Sequence, residues 1–261
     1  MKKLIVIGAL TAFAACKEDP AEAHHRVAVD LYAKGEFARA AAEYEEVIKL
    51  NPSLDEKVQK KAAQAWVKAG EQEKGVAILE RLANGKSGPE KLEGYREIAG
   101  LYMANNNYEK AEQWFMKILE QAPKDADTLN WLAELASIRG GARNTSALVK
   151  PDQLDLALKR YDEAIAANPT DPKPWVNKRI VYIRYIDYEQ KQKAQALADA
   201  ETNKADKDSA ADFKKEAERR QAHSEELKAA MDETTRKIGE LNKAAKAAAA
   251  APAAAVAPAK P

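Results

Sequence analysis

Apolar residues recur along the first two thirds of the chain at intervals of three and four positions. In the clearest segment a glycine is followed by an aromatic residue, an alanine and a second aromatic residue, and a proline closes the segment. This spacing places the apolar side chains on one face of an α-helix, and the proline prevents the helix from continuing. The pattern covers residues 35–52, 106–123 and 154–169, with a weaker copy at 70–82. It predicts amphipathic helices joined by short turns.

A second amphipathic segment, with a small residue at its centre, precedes each copy. These central residues are Ala28, Ala63, Ala99 and Ala133. The distance between two packed helices depends on the side chains at their crossing, so small residues mark close approaches. We therefore expect Ala111 and Ala157, which hold the small position in the second and third copies, to be buried where two helices cross.

Helix pairs at this interval resemble the tetratricopeptide repeat (TPR), a unit of about 34 residues. Ala40 and Ala111 hold matching positions 71 residues apart, which accommodates two repeats. The resemblance implies an all-α fold, a TPR-type helical solenoid of about four to five helix pairs over residues 22–185. The expected pairs cover about residues 22–53, 56–88, 92–125 and 126–170, the last with an insertion at 140–151, and a capping helix without a matching second helix follows at 172–200.

The C-terminal part of the chain is more charged than the repeats. Residues 201–245 predict a long helix whose apolar and small positions follow alternating steps of four and three, a weak heptad pattern. Two alternatives remain open, since this helix can fold back as a cap or form a coiled coil with a partner or a second copy. Residues 246–261 are mainly Ala, Lys and Pro, which predicts a disordered tail. A basic tail of this kind could also contact peptidoglycan.

The first residues predict an export signal. Two lysines precede an apolar stretch of twelve residues, Leu4 to Ala15, which is too short to cross a bilayer. Cleavage after Ala14 is one alternative, but residues 13–16 resemble the bacterial lipobox, and Cys16 is the only cysteine. The resemblance implies a signal peptide at 1–15, lipidation of Cys16 and a short tether at 16–21. Lys17 implies sorting to the outer membrane, facing the periplasm.

Charge and residue types exclude several classes of function. The chain carries 42 Lys plus Arg against 41 Asp plus Glu, which argues against a nucleic-acid binder. His24 and His25 are adjacent and point in different directions on a helix, so we expect no metal site. We also expect no cofactor, no catalytic residues and no enzymatic activity, because no phosphate loop or catalytic motif is present. The aromatic residues expected in the core are Trp66, Tyr102, Trp114 and Trp131.

The TPR resemblance implies a groove lined by the first helix of each pair, which holds an extended peptide or a partner helix. Chaperone-tail clamps of the family have Lys and Asn where this chain has His25 and Val29, so an acidic C-terminal tail is not the implied ligand. An apolar segment with some charge is the expected ligand. By register, the groove residues are His25, Val29, Tyr32, Lys60, Gln64, Arg96, Met103, Asn130 and Glu134.

These features together favour a lipid-anchored TPR adaptor or assembly factor that mediates protein–protein interactions in a bacterial envelope complex. The combination resembles outer-membrane pilotin-like and motility-associated TPR lipoproteins, which act in secretin, pilus, motility or outer-membrane assembly. The alternative is a structural spacer that links the outer membrane to peptidoglycan through the C-terminal helix and tail.

Overall fold

A computed structural model describes residues 19–52, 56–143 and 148–250, and all regular secondary structure within these ranges is α-helical. The signal peptide, Cys16 and residues 251–261 lie outside the described residues. The described helices are α1 (Pro20–Ala33), α2 (Phe37–Leu50), α3 (Glu56–Lys68), α4 (Gln72–Asn84), α5 (Gly88–Ala104), α6 (Tyr108–Gln121), α7 (Ala126–Arg139), α8 (Pro151–Ala167), α9 (Pro172–Thr202) and α10 (Lys207–Ala250).

The chain divides into two compact units, one up to Ile98 and one from Ala99 onward. In the first unit α1 packs on α2, α2 on α3, and α3 on α4. Ala28 and Ala40 are fully buried where the first two helices meet. Gly75 of α4 takes the small position of the weaker copy, because a Cβ atom there would lie 2.6 Å from the carbonyl oxygen of Ala63.

The second unit has its own core, built mainly from α7, α8 and α9 with a contribution from α10. Tyr161 and Leu154 are fully buried at its centre, packed with Val181, Tyr185 and Leu227. Ala111 and Ala157 are also fully buried, which confirms the expectation from the repeat pattern.

Side-chain caps fix several helix starts. Asp19 accepts a hydrogen bond from the Ala21 amide at 2.9 Å, and Pro20 occupies the first helical turn, where its missing N–H costs nothing. The expected tether at 16–21 is therefore too long by two residues, since Pro20 and Ala21 are already helical.

The start of α5 also differs from the prediction. This helix begins at Gly88, four residues before the expected start of its repeat.

An ion-pair network joins α6, α7 and α8. Glu112 accepts hydrogen bonds from Arg139 at 2.6 Å and from Arg160 at 3.0 Å. Burial opposes ionisation of Glu112, but the hydrogen bonds and charges of the two arginines outweigh it and hold the pKa of this carboxyl below its ordinary value. The network satisfies a half-buried charge within the repeat core.

The largest departure from expectation lies at the C-terminus, where α9 does have a matching second helix. α10 packs along α9, which corresponds to the alternative in which the charged helix folds back. Glu189 of α9 is only 1% exposed and contacts Arg220 at 3.2 Å and His223 at 3.2 Å, both on α10. These contacts fix the two helices to each other.

The boundary between the last helix and the expected tail also differs. α10 begins at Lys207 and continues to Ala250, so residues 246–250, expected to be disordered, are helical. Alanine has the highest helix propensity of the amino acids, which accounts for the extension through an alanine-rich segment.

The buried alanines provide a test of the packing. We expect Ala111→Leu and Ala157→Leu each to lower the free energy of unfolding by about 1–3 kcal/mol, because added methyl groups have no space at the crossing. Chemical denaturation of the full chain measures the change, with Ala229→Leu on the exposed side of α10 as the control. Wild-type stability of both core variants would contradict the assigned crossings.

Candidate interaction surface

The predicted groove residues of α1 take part in aromatic contacts within the first unit. The His25 ring lies edge-on to Tyr44, with ring centroids 5.9 Å apart, although the residue is exposed overall. Tyr32 lies edge-on to Phe37, and the Lys68 ammonium group is 4.9 Å from the Tyr32 ring centroid. Val29 is exposed. The α1 surface therefore has apolar and cationic character, and Tyr32 is already held by its own neighbours.

The remaining predicted residues of the first unit are polar and mostly paired. Lys60 contacts Glu97 at 2.9 Å and Glu56 at 3.2 Å, and it lines a small charged pocket of about 140 Å³. Arg96 contacts Glu93 at 3.0 Å, and Gln64 is exposed. Lys60 and Arg96 thus neutralise neighbouring carboxylates of the first unit.

In the second unit two of the predicted residues, Asn130 and Glu134, lie together in a cleft. The cleft lies between α7 and the start of α9 and has a volume of about 490 Å³. Met103, the other predicted residue of this unit, is half-buried on α5 and does not line the cleft. We call this site the α7–α9 cleft; its lining residues are Asn130, Trp131, Glu134, Arg143, Pro172, Lys173, Val176 and Asn177.

Glu134 is the centre of a hydrogen-bond network on one wall of the α7–α9 cleft. The Arg143 guanidinium donates to both of its carboxylate oxygens, at 2.9 and 2.7 Å, and also to the Asn177 side chain at 2.9 Å. The buried Tyr161 hydroxyl donates to Glu134 at 2.8 Å. Burial, together with the negative charge of Glu134, raises the pKa of Tyr161. The predicted groove residue Glu134 is thus part of the structural framework of the cleft.

The inserted segment at 140–151 supplies an essential part of this wall. Arg143 belongs to the insertion, and Arg184 of α9 donates a hydrogen bond from Nε to the Gly141 carbonyl at 3.2 Å. The insertion is therefore fixed to both α7 and α9 at its first residues. The repeat pattern predicts the insertion but not these contacts.

Trp131 forms the other prominent feature of the cleft, and its position contradicts the expectation that it lies in the core. Its ring stacks on Phe115 with the planes only 8° apart, yet the residue is 43% exposed. Register explains the error, because Trp131 lies on the side of α7 opposite the buried Ala133. Trp66 is half-buried, whereas Tyr102 and Trp114 are buried as expected.

Asn130 carries an unsatisfied acceptor at the cleft. Its side-chain Oδ1 atom is buried and has no hydrogen-bond partner among the described residues. Buried polar atoms in proteins are nearly always hydrogen-bonded, so a donor from outside the described residues, such as water or a ligand N–H group, is needed to satisfy this one. The cleft thus combines an exposed aromatic ring, an acceptor and the cations Arg143 and Lys173.

Comparisons with known proteins agree with the helix-pair architecture. Models of the tetratricopeptide repeat match residues 21–54 and 93–125, which correspond to α1–α2 and to most of α5–α6. Both of these segments are similar to the tetratricopeptide repeat. The predicted fold class, all-α and of TPR type, is confirmed. Repeats of this type serve protein–protein interaction, and this chain has the architecture of such a scaffold.

The matched curated relatives are much longer proteins. The chain is 27% identical over 146 residues to human Protein O-mannosyl-transferase TMTC1, covering 56% of this chain and 15% of that protein. It is 28% identical over 127 residues to the General transcriptional corepressor trfA of Dictyostelium discoideum, covering 48% of this chain and 8% of that protein. The chain therefore spans less than a sixth of the length of each of these relatives.

Solved structures of MamA are also similar. One MamA crystal structure covers 77% of this chain and 97% of its own chain, at 14% identity and a TM-score of 0.39. MamA 41-end from Desulfovibrio magneticus RS-1 covers 82% of this chain and 98% of its own, with the same identity and TM-score.

Two further observations concern membrane and metal chemistry. None of the described helices combines the length and apolar character needed to cross a bilayer. Within the described ranges, no group of three or more His, Cys, Asp or Glu side chains is arranged to hold a metal ion.

The Glu134 network predicts a pH-dependent effect of Tyr161→Phe. At neutral pH we expect the variant to lose about 1 kcal/mol of stability with the hydrogen bond. Because the folded chain raises the pKa of Tyr161 above its ordinary 10.0, this stability is present below pH 10 and is lost as the pH rises further. The stability gap between wild type and variant should therefore narrow at high pH.

Denaturation at about pH 7, 9 and 11 measures this gap. Tyr108→Phe is the control, because the Tyr108 hydroxyl donates to Asn106 at the exposed surface. A gap for Tyr161→Phe that is constant across the pH range would contradict the described network.

Proposed function

We propose that this protein is a non-catalytic scaffold that binds a segment of a partner protein in the α7–α9 cleft. The observation that carries the proposal is the buried, unsatisfied Asn130 Oδ1 next to the exposed Trp131 ring. A bound polypeptide supplies both an N–H donor and an apolar side chain, which fit these two features. The repeat architecture supports the same role.

The hydrogen bonds already made by the polar residues of the cleft favour binding over catalysis. Glu134 accepts hydrogen bonds from Arg143 and Tyr161, so its carboxylate is committed to the cleft wall. A general base needs a carboxylate that can reach a proton of the substrate. The same network holds the cleft in its shape without a ligand, and preorganisation reduces the entropy cost of binding.

We further propose that the scaffold is anchored by lipid at Cys16 on the periplasmic side of a bacterial outer membrane and serves an envelope complex of the secretin, pilus, motility or outer-membrane assembly type. The lipobox-like residues 13–16 and the single cysteine support this. Because α1 begins at Pro20, four Cα steps separate the anchor from the first helix, at most about 15 Å. A partner bound by α1 would then lie close to the membrane surface.

The spacer function is a second candidate because of the length of α10. With 44 residues it is about 66 Å long, whereas the 31 residues of α9 span about 46 Å. Residues 242–249 are all exposed and include Lys243 and Lys246. A basic helix end of this kind could contact an anionic polymer such as peptidoglycan.

Photocrosslinking distinguishes the two functions. A photoreactive phenylalanine analogue is placed at Trp131, at Val176, or at Lys246, with Met116 on the exposed side of α6 as the control position. We expect protein adducts from positions 131 and 176 in intact cells, and at least about fivefold fewer at position 176 when Trp131→Ala is added. Adducts confined to position 246 would favour the spacer.

Mass spectrometry tests the anchor. We expect the mature chain to begin at an acylated Cys16 and to fractionate with membranes, and Cys16→Ala to release the chain to the soluble fraction. Cys16→Ser provides a matched variant that keeps a polar side chain but cannot form the thioether. A mature chain that begins at Ala15 with a free thiol, or a Cys16→Ala chain that stays with the membrane, would refute lipidation.

A further inference from the structure

The helix α10 is attached to the second unit through α9. Within the described ranges, α9 is the one helix whose backbone packs closely along α10. The helices α7, α8 and α9, in contrast, all pack on one another. Separation of α10 from α9 therefore leaves these three helices of the repeat core in contact.

The residues that α10 buries are mostly small or polar. They are Ala210, Ala217, Ser224, Leu227 and Thr234, and only the leucine among them is a large apolar residue. The other large apolar residues of α10 are half-buried: Phe213, Met231, Ile238 and Leu241. The Ser224 hydroxyl is buried without a hydrogen-bond partner among the described residues, which opposes the packing. Because apolar burial is the main driving force of helix packing, this contact is weak for its length.

A buried carboxylate lies in the contact between the two helices. Glu189 of α9 is 1% exposed and contacts Arg220 and His223 of α10, each at 3.2 Å. Burial of an unpaired carboxylate is costly, so Glu189 needs either a cation or water. Any helix that covers this part of α9 must therefore carry a cation opposite Glu189.

The turn between α9 and α10, residues 203–206, differs from the turns within the preceding helix pairs. Each of those turns contains a residue in the left-handed region, with a φ between 57° and 85°: Gly35, Gly70, Asn106 and Gly141. A left-handed residue ends a helix and reverses the chain. Residues 203–206 are all described, include neither glycine nor proline, and have no positive φ. The hairpin can therefore straighten into one continuous helix that contains no helix-breaking residue at this point.

Side-chain hydrogen bonds at the surface hold this turn. The Asn203 side chain donates to the Asp199 carbonyl at 2.8 Å, and the Asp206 carboxylate accepts from the Ser209 hydroxyl at 2.7 Å. Exposed groups exchange such bonds for hydrogen bonds to water, so the net contribution of each bond is small. The closed turn is therefore held only weakly.

We propose that two copies of this chain exchange α10, so that α10 of each copy covers α9 of the other. The exchanged helix packs on the side of α9 that carries Val181, Tyr185 and Glu189, and it supplies the cation that Glu189 requires. Because the same residues meet within one copy or between two copies, the exchange loses no contact between α9 and α10. The inference does not depend on the scaffold function. It gives the assembly two α7–α9 clefts, which favours partners with two binding segments.

Charge reversal at the buried ion pair tests the exchange. Two copies of the full chain with different tags are co-expressed, and one tag is used for capture from detergent extracts of the cells. We expect part of the second wild-type copy to be captured with the first. Glu189→Arg in both copies, or Arg220→Glu in both, should lower this co-capture at least about tenfold, because like charges then meet between α9 and α10.

A mixed pair of variants gives the decisive result. When one copy carries Glu189→Arg and the other carries Arg220→Glu, opposite charges meet only if α9 of one copy packs on α10 of the other. We expect the mixed pair to restore co-capture to within about twofold of wild type. Glu226→Arg in both copies, at an exposed residue of α10, is the control and should leave co-capture unchanged.

Substitutions in the turn test the straightening separately. Asn203→Ala with Asp206→Ala removes hydrogen bonds of the closed turn, and we expect co-capture to rise at least about threefold. Lys204→Gly with Ala205→Gly disfavours a continuous helix, so we expect co-capture to fall at least about fivefold. Circular dichroism confirms that each variant is folded.

Three outcomes would overturn the exchange. They are the absence of co-capture of the wild-type copies, a mixed pair that is captured no better than either variant alone, and equal co-capture of the two turn variants. Wild-type co-capture that the charge reversals leave intact would assign self-association to another surface and would overturn the exchange as well. The scaffold function is tested independently by the protein adducts at Trp131.

Discussion

Alanine and glycine residues lie where the helices of this chain cross, and they allow a short distance between the helix axes. The rest of the structure depends on this short distance. Ala28 and Ala40 are fully buried in the first pair, and Gly75 leaves no space for even one Cβ atom against Ala63. With such small residues between helix axes, the larger apolar side chains must fill the space beside the crossing. Tyr161 does this in the second unit, where it is fully buried.

The need to satisfy that buried tyrosine shapes the candidate site. A buried hydroxyl without a partner is costly, and Tyr161 donates to Glu134, which in turn requires a cation. The insertion after α7 supplies it as Arg143. One wall of the α7–α9 cleft is therefore a consequence of core packing. Asn130 and Trp131, on the same helix, are left available to a ligand.

The sequence predicted the helices better than it predicted their exposed faces. Periodicity and closing prolines predicted the helix pairs, and the small positions predicted the burial of Ala111 and Ala157. Aromatic residues are poor indicators of burial, because one ring face can pack while the other contacts solvent. Trp131 illustrates this, with one face on Phe115. The role of Glu134 depends on Tyr161, 27 residues away, a pairing that no local pattern reveals.

The C-terminal helix shows a different limit of sequence analysis. Its heptad pattern predicted the face that is buried, and Ala217, Ser224, Leu227 and Thr234 are indeed buried. A heptad specifies a face but not the helix that covers it, so the pattern could not choose between α9 and another chain. The deciding interaction is the ion pair between Glu189 of α9, a helix expected to lack a matching second helix, and Arg220 of α10.

The pairing of α9 with α10 also explains why some apolar side chains of α9 can remain exposed. α9 needs only one side for the core of the second unit, and α10 covers that side with a helix of 44 residues whose outer face is charged. α10 presents charged side chains to solvent, and α9 keeps the aliphatic Val176 and Ile183 exposed. Val176 is one of these exposed residues and lines the α7–α9 cleft, so a ligand bound in the cleft would cover it. Because α10 packs on one side of α9, the start of α9 and the α7–α9 cleft remain open to a partner.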